Sequence, residues 1–199
     1  MAIPSLALIP TGFKDGKLYS VLPESGAGDF DVVRGSGATR VNKDGLIETM
    51  TGNEPRLDYT DGGCPSLLLE PQSTNLIEYS EDFSQSYWTK QSGITATYNT
   101  TETLSPDGTY NATKFVGNGT TGVLKTSISV SGVVSRSVYL KSVTGVTTAT
   151  FKEPNTNTPS PIALTITNEW QRFEMIGDNG SAFQGLQIDD ITSDGIYMW

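Results

Sequence analysis

The chain has 199 residues, with 13 Lys+Arg against 22 Asp+Glu and a formal charge of −9. That length supports one or two domains with a buried core, and 36% hydrophobic residues exclude a disordered acidic tail. Acid exceeds base throughout, with six basic against ten acidic residues up to Asn75 and seven against twelve beyond. No basic face is therefore available to neutralise nucleic-acid phosphates.

The leader Met1-Ala2-Ile3-Pro4-Ser5-Leu6-Ala7-Leu8-Ile9-Pro10 is apolar, but its first cation is Lys14 and two prolines interrupt the run. It reads as an arm or strand rather than an export signal. No run approaches the roughly 20 apolar residues of a membrane span, so membrane insertion is not expected. Ile3, Leu6, Leu8 and Ile9 are the candidate assembly residues, each contributing about 1.5–3 kcal/mol if buried against another chain.

Turn signals then recur every few residues, at Asp15-Gly16, Ser25-Gly26, Ser36-Gly37, Asp44-Gly45, Thr51-Gly52 and Asp61-Gly62-Gly63. Between them lie short strand-like runs at 17–22, 30–34, 38–41 and 46–48. Strands this short bury little by themselves. Residues 1–75 are therefore expected to form an extended anchoring region that completes itself on a neighbour, with a small independent barrel as the alternative.

Beyond Asn75 the pattern becomes that of an all-β domain over residues 76–199. Ser80-Glu81-Asp82-Phe83 predicts an N-cap and a short helical turn. Tyr87 and Trp88 supply large apolar anchors. Period-two runs follow at 94–98, 112–116, 127–130, 135–141, 147–151, 162–166, 171–176 and 185–188, separated by Gly, Asn, Asp and Pro. The clearest alternation sets Arg136, Val138 and Leu140 against Ser137, Tyr139 and Lys141. An antiparallel β-sandwich, a jelly roll, is the expected fold. The final run Gly195-Ile196-Tyr197-Met198-Trp199 is strongly strand-forming, and the sequence is expected to continue beyond it, since an exposed apolar edge promotes aggregation.

The stretch Cys64-Pro65-Ser66-Leu67-Leu68-Leu69-Glu70-Pro71-Gln72-Ser73-Thr74-Asn75-Leu76, followed by Tyr79-Ser80-Glu81-Asp82-Phe83 and Trp88, resembles a module of bacteriophage virion fibres and appendages. In that family such a stretch introduces a jelly roll like those of carbohydrate-binding modules. Ala38-Thr39-Arg40-Val41-Asn42, Ser137-Val138-Tyr139-Leu140-Lys141 and Glu169-Trp170-Gln171-Arg172-Phe173 extend the resemblance over nearly the whole chain. The terminal Tyr197-Met198-Trp199 is followed in that family by a further closing strand. The resemblance implies a virion location, a homotrimeric assembly, other virion proteins as partners and contact with host surface polysaccharide. The junction motif itself reads as architectural. Leu67–Leu69 form a strand, Pro71 ends its ladder for want of an N–H, and Gln72–Asn75 make a polar corner.

The absence of His removes His-dependent triads and the usual zinc and haem ligands. Glycoside hydrolysis would need two opposed carboxylates, and Glu70, Glu78, Glu81, Asp82, Glu102 and Asp107 show no convergent signature for it. No catalytic residue and no cofactor is assigned. For glycan stacking the candidates are Tyr98 and Tyr110, which flank Asn- and Thr-rich loops; Tyr87, Trp88 and Trp170 fit a core role better. Asp189, Asp190 and Asp194 are calcium candidates by their hard oxygen donors, although their spacing matches no EF-hand. Cys64 is expected to be a small apolar packer. The sequence therefore suggests a virion structural protein, docked through its N-terminal region and displaying an adhesive jelly roll. A carbohydrate-binding module of a longer glycoside-active protein and a ligand-free capsid decoration are the alternatives.

Overall fold

The computed structural model describes residues 7–14 and 16–199, in two compact units divided between Ser73 and Thr74. Every paired strand is antiparallel, and no helix occurs among the described residues.

The first unit is built from hairpins. Strands β1 (Ala7–Lys14), β2 (Lys17–Leu22) and β3 (Phe30–Asp31) form one sheet. Pairs β4 (Ala38–Val41) with β5 (Ile47–Met50) and β6 (Leu57–Asp58) with β7 (Ser66–Leu67) form two more. Asn42 shapes the β4–β5 turn by accepting from the N–H groups of Asp44 (2.9 Å) and Leu46 (3.0 Å). Gly45 completes that turn at φ +79°. Among the described residues of this unit only Leu18 and Pro55 are buried. Ile3 and Leu6 lie outside the described residues; Leu8 is half-buried and Ile9 is 51% exposed.

The expected strand Leu67–Leu69 is shorter in the structure. The β6–β7 ladder covers Ser66 and Leu67, and the Leu68 N–H adds one bond to the Arg56 carbonyl (2.8 Å). Cys64 is exposed, contrary to its expected role as a packer. It follows Gly62 and Gly63, both at positive φ, in a turn that ends before the ladder begins.

The second unit is an antiparallel β-sandwich of jelly-roll type. One sheet runs in the order β15 (Gln171–Gly177), β12 (Val134–Ser142), β17 (Ile196–Met198), β10 (Thr113–Val116), β9 (Thr95–Thr97). The other runs β14 (Ile162–Ile166), β13 (Thr147–Lys152), β16 (Phe183–Asp189), β11 (Val123–Ser129), β8 (Thr89–Lys90). The inward residues follow the period-two pattern. Val138 and Leu140 from β12, Phe115, Ile196 and Met198 face Phe151, Leu164, Ile166, Leu186 and Ile188 in one core. The edge strands β8 and β9 are two and three residues long, which limits edge-to-edge pairing.

The run Ile196–Met198 is paired on both sides, with β12 and β10, and is wholly buried. Its apolar character is that of a central strand. A bulge in β11, with Ser127 at φ 58°, shifts the register between Lys125 and Ile128, so that Ile128 pairs with Gln184. Gly122 lies where strands cross closely, and a Cβ there would stand 1.9 Å from the Ile188 carbonyl oxygen.

The helical turn expected at Ser80–Phe83 does not form. Asp82 folds back on the residues after it, accepting from Ser84 N–H (3.0 Å), Ser84 Oγ (2.5 Å) and Gln85 Nε2 (2.7 Å). The Lys90 ammonium gathers the carbonyls of Phe83 (2.7 Å), Gln85 (3.2 Å) and Trp88 (3.2 Å), which holds the segment after Asp82 in a non-helical course. This clamp seats Phe83 in the core against Phe115, at 5.7 Å between ring centroids, and Trp88 donates Nε1–H to the Tyr79 carbonyl (2.7 Å). Replacing Lys90 with Met removes charge-assisted bonds and is expected to lower unfolding stability by about 1.5–3 kcal/mol in urea titration. An unchanged midpoint would show that the clamp is not formed.

Candidate functional site

A cavity of about 260 Å³ opens at one end of the sandwich. Its walls come from residues 74–77 and Ser80, from Ile128 in β11 after the bulge and Val130 just beyond it, from β12 (Val134, Arg136) and from β16 (Gln184, Leu186). Asn75 shapes the first wall by accepting from Ile77 N–H (3.0 Å) and donating to Ser80 Oγ (3.3 Å), the polar-corner role expected of it.

Arg136 is the one charged residue on this wall. It sits at the inward parity of β12, in line with Val138 and Leu140, and is 6% exposed. Its guanidinium reaches across the sandwich. Nε donates to the Gly185 carbonyl (2.6 Å), Nη2 to Gln184 Oε1 (2.5 Å) and Nη1 to the Gly177 carbonyl (3.4 Å). Gln184, itself 1% exposed, hands its amide on to the Gly132 carbonyl (2.6 Å). Among the described residues no carboxylate forms an ion pair with Arg136. Burial draws the guanidinium below its ordinary pKa, with the charges of Glu153 and Asp178 opposing the shift.

The outer face of the β15–β12–β17–β10–β9 sheet carries aromatic and polar side chains, but a loop segment covers part of it. Glu102 accepts from Tyr197 OH (2.8 Å) and Lys114 Nζ (2.8 Å). Lys141 Nζ donates to Thr103 Oγ1 (3.0 Å), and Trp170 Nε1 to the Leu104 carbonyl (2.7 Å). The strap of residues 102–104 leaves Tyr197 buried. Beside it, Tyr139 and Trp199 meet edge to face at 5.5 Å.

A second cavity, of about 400 Å³, lies within the first unit beside Leu18, Phe30, Val33, Leu67 and Leu69. Its arginines are engaged: Arg56 with Glu70 (2.7 Å), and Arg34 with the backbone carbonyls of Ser36, Thr51 and Glu54. Its lining is largely apolar.

The sequence-predicted residues are not gathered in the sandwich-end cavity. Tyr98, 39% exposed, stands next to β9 with Lys90 Nζ 5.6 Å from its ring centroid. Tyr110, 53% exposed, lies in the loop before β10. Tyr87 and Trp88 pack edge to face in or against the core. Asp189 is buried and paired with Lys152, Asp190 accepts from Thr150 Oγ1 (2.6 Å), and Asp194 is exposed. Among the described residues no group of three or more His, Cys, Asp or Glu is arranged to hold a metal ion. Arg136 and Gln184 were not assigned as site residues from the sequence. The signal for Arg136 was its parity with Val138 and Leu140.

No family model matches this chain, and no curated protein does. Solved structures do. A CBM4 domain is 13% identical, with a TM-score of 0.36 over 53% of this chain and 81% of its own. A CBM61 domain in complex with β-1,4-galactotriose is 10% identical, with a TM-score of 0.42 over 63% of this chain and 94% of its own. A family 11 carbohydrate-binding module from Clostridium thermocellum, in complex with a β-1,3-1,4-mixed-linked tetrasaccharide, is 13% identical, with a TM-score of 0.35 over 59% and 88%. At these identities the likeness is one of fold.

Burial and the bond to Glu102 push the Tyr197 phenol up to about 12 from 10.0. The neutral phenol is thus favoured in the folded state, and its contribution to stability is present below pH 10.0 and lost as pH rises towards 12. Glu102→Gln removes the charge that faces the phenol and is expected to lower the Tyr197 midpoint, with burial holding it above 10.0, as read from the phenolate absorbance. A midpoint unmoved by E102Q would show that the strap does not rest on Tyr197.

Proposed function

We propose that this chain is a structural, non-enzymatic protein of a bacteriophage virion whose β-sandwich binds host surface carbohydrate in the sandwich-end cavity. The cavity carries the binding half of the proposal. It combines apolar walls (Leu76, Ile128, Val130, Leu186) with polar groups of Asn75, Ser80, Arg136 and Gln184. A sugar ring presents the matching pattern, an apolar C–H face and a rim of hydroxyls. At about 260 Å³ the cavity is near the lower end of ligand pockets, roughly 300–1,000 Å³, a size suited to one sugar residue of a chain.

The virion half is supported by the residues from Cys64 to Trp88 and their resemblance to phage appendage proteins. It is also supported by the uncovered apolar surface of the first unit, where Phe30, Val33 and Leu69 are exposed. In this reading the first unit docks on other virion proteins and the protein assembles as a homotrimer. Several modest sugar sites then act together at high effective concentration. A carbohydrate-binding module within a longer protein would use the same cavity, and labelling of intact particles separates the two readings.

A glycan array probed with the full chain is expected to show binding. Leu76→Trp, a bulky change at an exposed position on the cavity wall, is expected to weaken it at least tenfold with no change in melting temperature. Undiminished binding by L76W would place the sugar elsewhere. Deleting residues 1–12 is expected to leave the sandwich folded and abolish incorporation into particles; normal copy number in the deletion would refute docking through that segment.

A further inference from the structure

The cavity reading leaves the charge of the occupant open, and the wall itself supplies it. Arg136 is the one Lys or Arg among the described residues that is buried. A buried charge is costly unless an opposite charge and hydrogen bonds compensate it. Arg136 has hydrogen bonds but no anion. Its three acceptors, two backbone carbonyls and the Gln184 amide oxygen, are all neutral.

The acids nearest in electrostatic effect are committed elsewhere. Glu153, fully buried, accepts from Asn155 N–H (2.9 Å), Asn155 Nδ2 (2.7 Å), Thr156 N–H (2.7 Å) and Thr156 Oγ1 (3.2 Å). Asp178 accepts from Gly180 N–H (2.9 Å) and lies 3.5 Å from Gln184 Nε2. Among the described residues no acidic side chain lines the cavity, in a chain with 22 of them. An anion placed there would meet one positive charge on the wall, with the charges of Glu153 and Asp178 acting on it only from outside the lining.

A guanidinium has five N–H groups. Three are used by protein acceptors, which leaves one on each Nη. Two N–H groups on a rigid planar fork match the two oxygens of a carboxylate. One cation on the wall balances one negative charge, which a carboxylate carries. Ser80 and Asn75, on the facing wall, remain for ring hydroxyls.

From this we infer that the cavity takes a carboxylate-bearing sugar, a uronic acid residue of an acidic polysaccharide, with Arg136 holding the carboxylate. This deepens the carbohydrate reading and rests on it. The net charge of −9 opposes approach of a polyanion, but that repulsion is screened beyond about 8 Å at physiological ionic strength, whereas a contact inside the cavity is not.

The test uses the full chain and calorimetric titration with a panel of uronate oligosaccharides (galacturonate, glucuronate and mannuronate). Each is compared with its carboxyl-reduced neutral counterpart and with a sulfated oligosaccharide of the same length. At least one uronate is expected to bind tenfold or more tightly than its reduced counterpart and than the sulfated sugar. Arg136→Lys keeps the charge and removes the fork, and is expected to bring that affinity down to the level of the neutral sugar. The comparison between wild-type ligands stands even if R136K fails to fold. Equal binding of every uronate and its reduced counterpart overturns the inference and leaves the carbohydrate reading intact. Tighter binding of the sulfated sugar overturns the carboxylate assignment. Failure of all these sugars to bind overturns the inference together with the reading it rests on.

Discussion

A guanidinium bonded across two β-sheets organises one end of this sandwich. Elsewhere the space between the sheets is filled by side chains such as Phe115, Phe151, Leu140 and Ile188. At Arg136 the inward position of β12 carries a charge instead, held by the Gly185 carbonyl and Gln184 of the opposite sheet. The neighbouring features adjoin that contact. Gln184 is fixed by its bond to Gly132, the β11 bulge brings Ile128 opposite Gln184, and the space left beside the guanidinium is a cavity with one-sided charge. Because the donors are locked by the fold, little conformational entropy remains to be lost when a ligand binds.

The strap over the outer sheet face favours that end of the sandwich as the binding site. Aromatic rings on an open sheet face would make a stacking platform, and Tyr139, Tyr197 and Trp199 share such a face. Residues 102–104 are tied down over Tyr197 through Glu102, with Lys114, Lys141 and Trp170 holding the segment at further points. Opening the face would break several charge-assisted bonds at once. The cavity needs no such opening.

Much of the sandwich was legible in the sequence because its strands are short, alternate cleanly and are separated by turn residues. The alternation from Arg136 to Lys141 marked the inward face of β12, and the apolar Ile196–Met198 run marked a strand that proved central. The Ser80–Phe83 segment was misleading for a physical reason. Its local signals favour a helix, but Asp82 turns back on Ser84 and Gln85, and Lys90, several residues on, draws the carbonyls of Phe83, Gln85 and Trp88 together. Cys64 was misplaced because composition does not show where the β6–β7 ladder begins. The site was less legible than the fold. Tyr98 and Tyr110 stood out as aromatics near polar loops, whereas Arg136 was read only as a member of an alternating strand. Its importance depends on which carbonyls lie opposite it, at Gly177 and Gly185, and that separation along the chain carries no local signal.

The central claim is that sugar meets Arg136 at the end of the sandwich, and the side-chain Nε–H of that residue reports on it directly. Held against the Gly185 carbonyl, this proton should give a resolved, slowly exchanging nitrogen-correlated resonance in the free protein. The account predicts that titration with an acidic oligosaccharide shifts it saturably, together with the amides of Gln184 and Gly185. Saturable shifts confined to Tyr98, Tyr110 or the strap over Tyr197, with the Arg136 resonance unmoved, would contradict it.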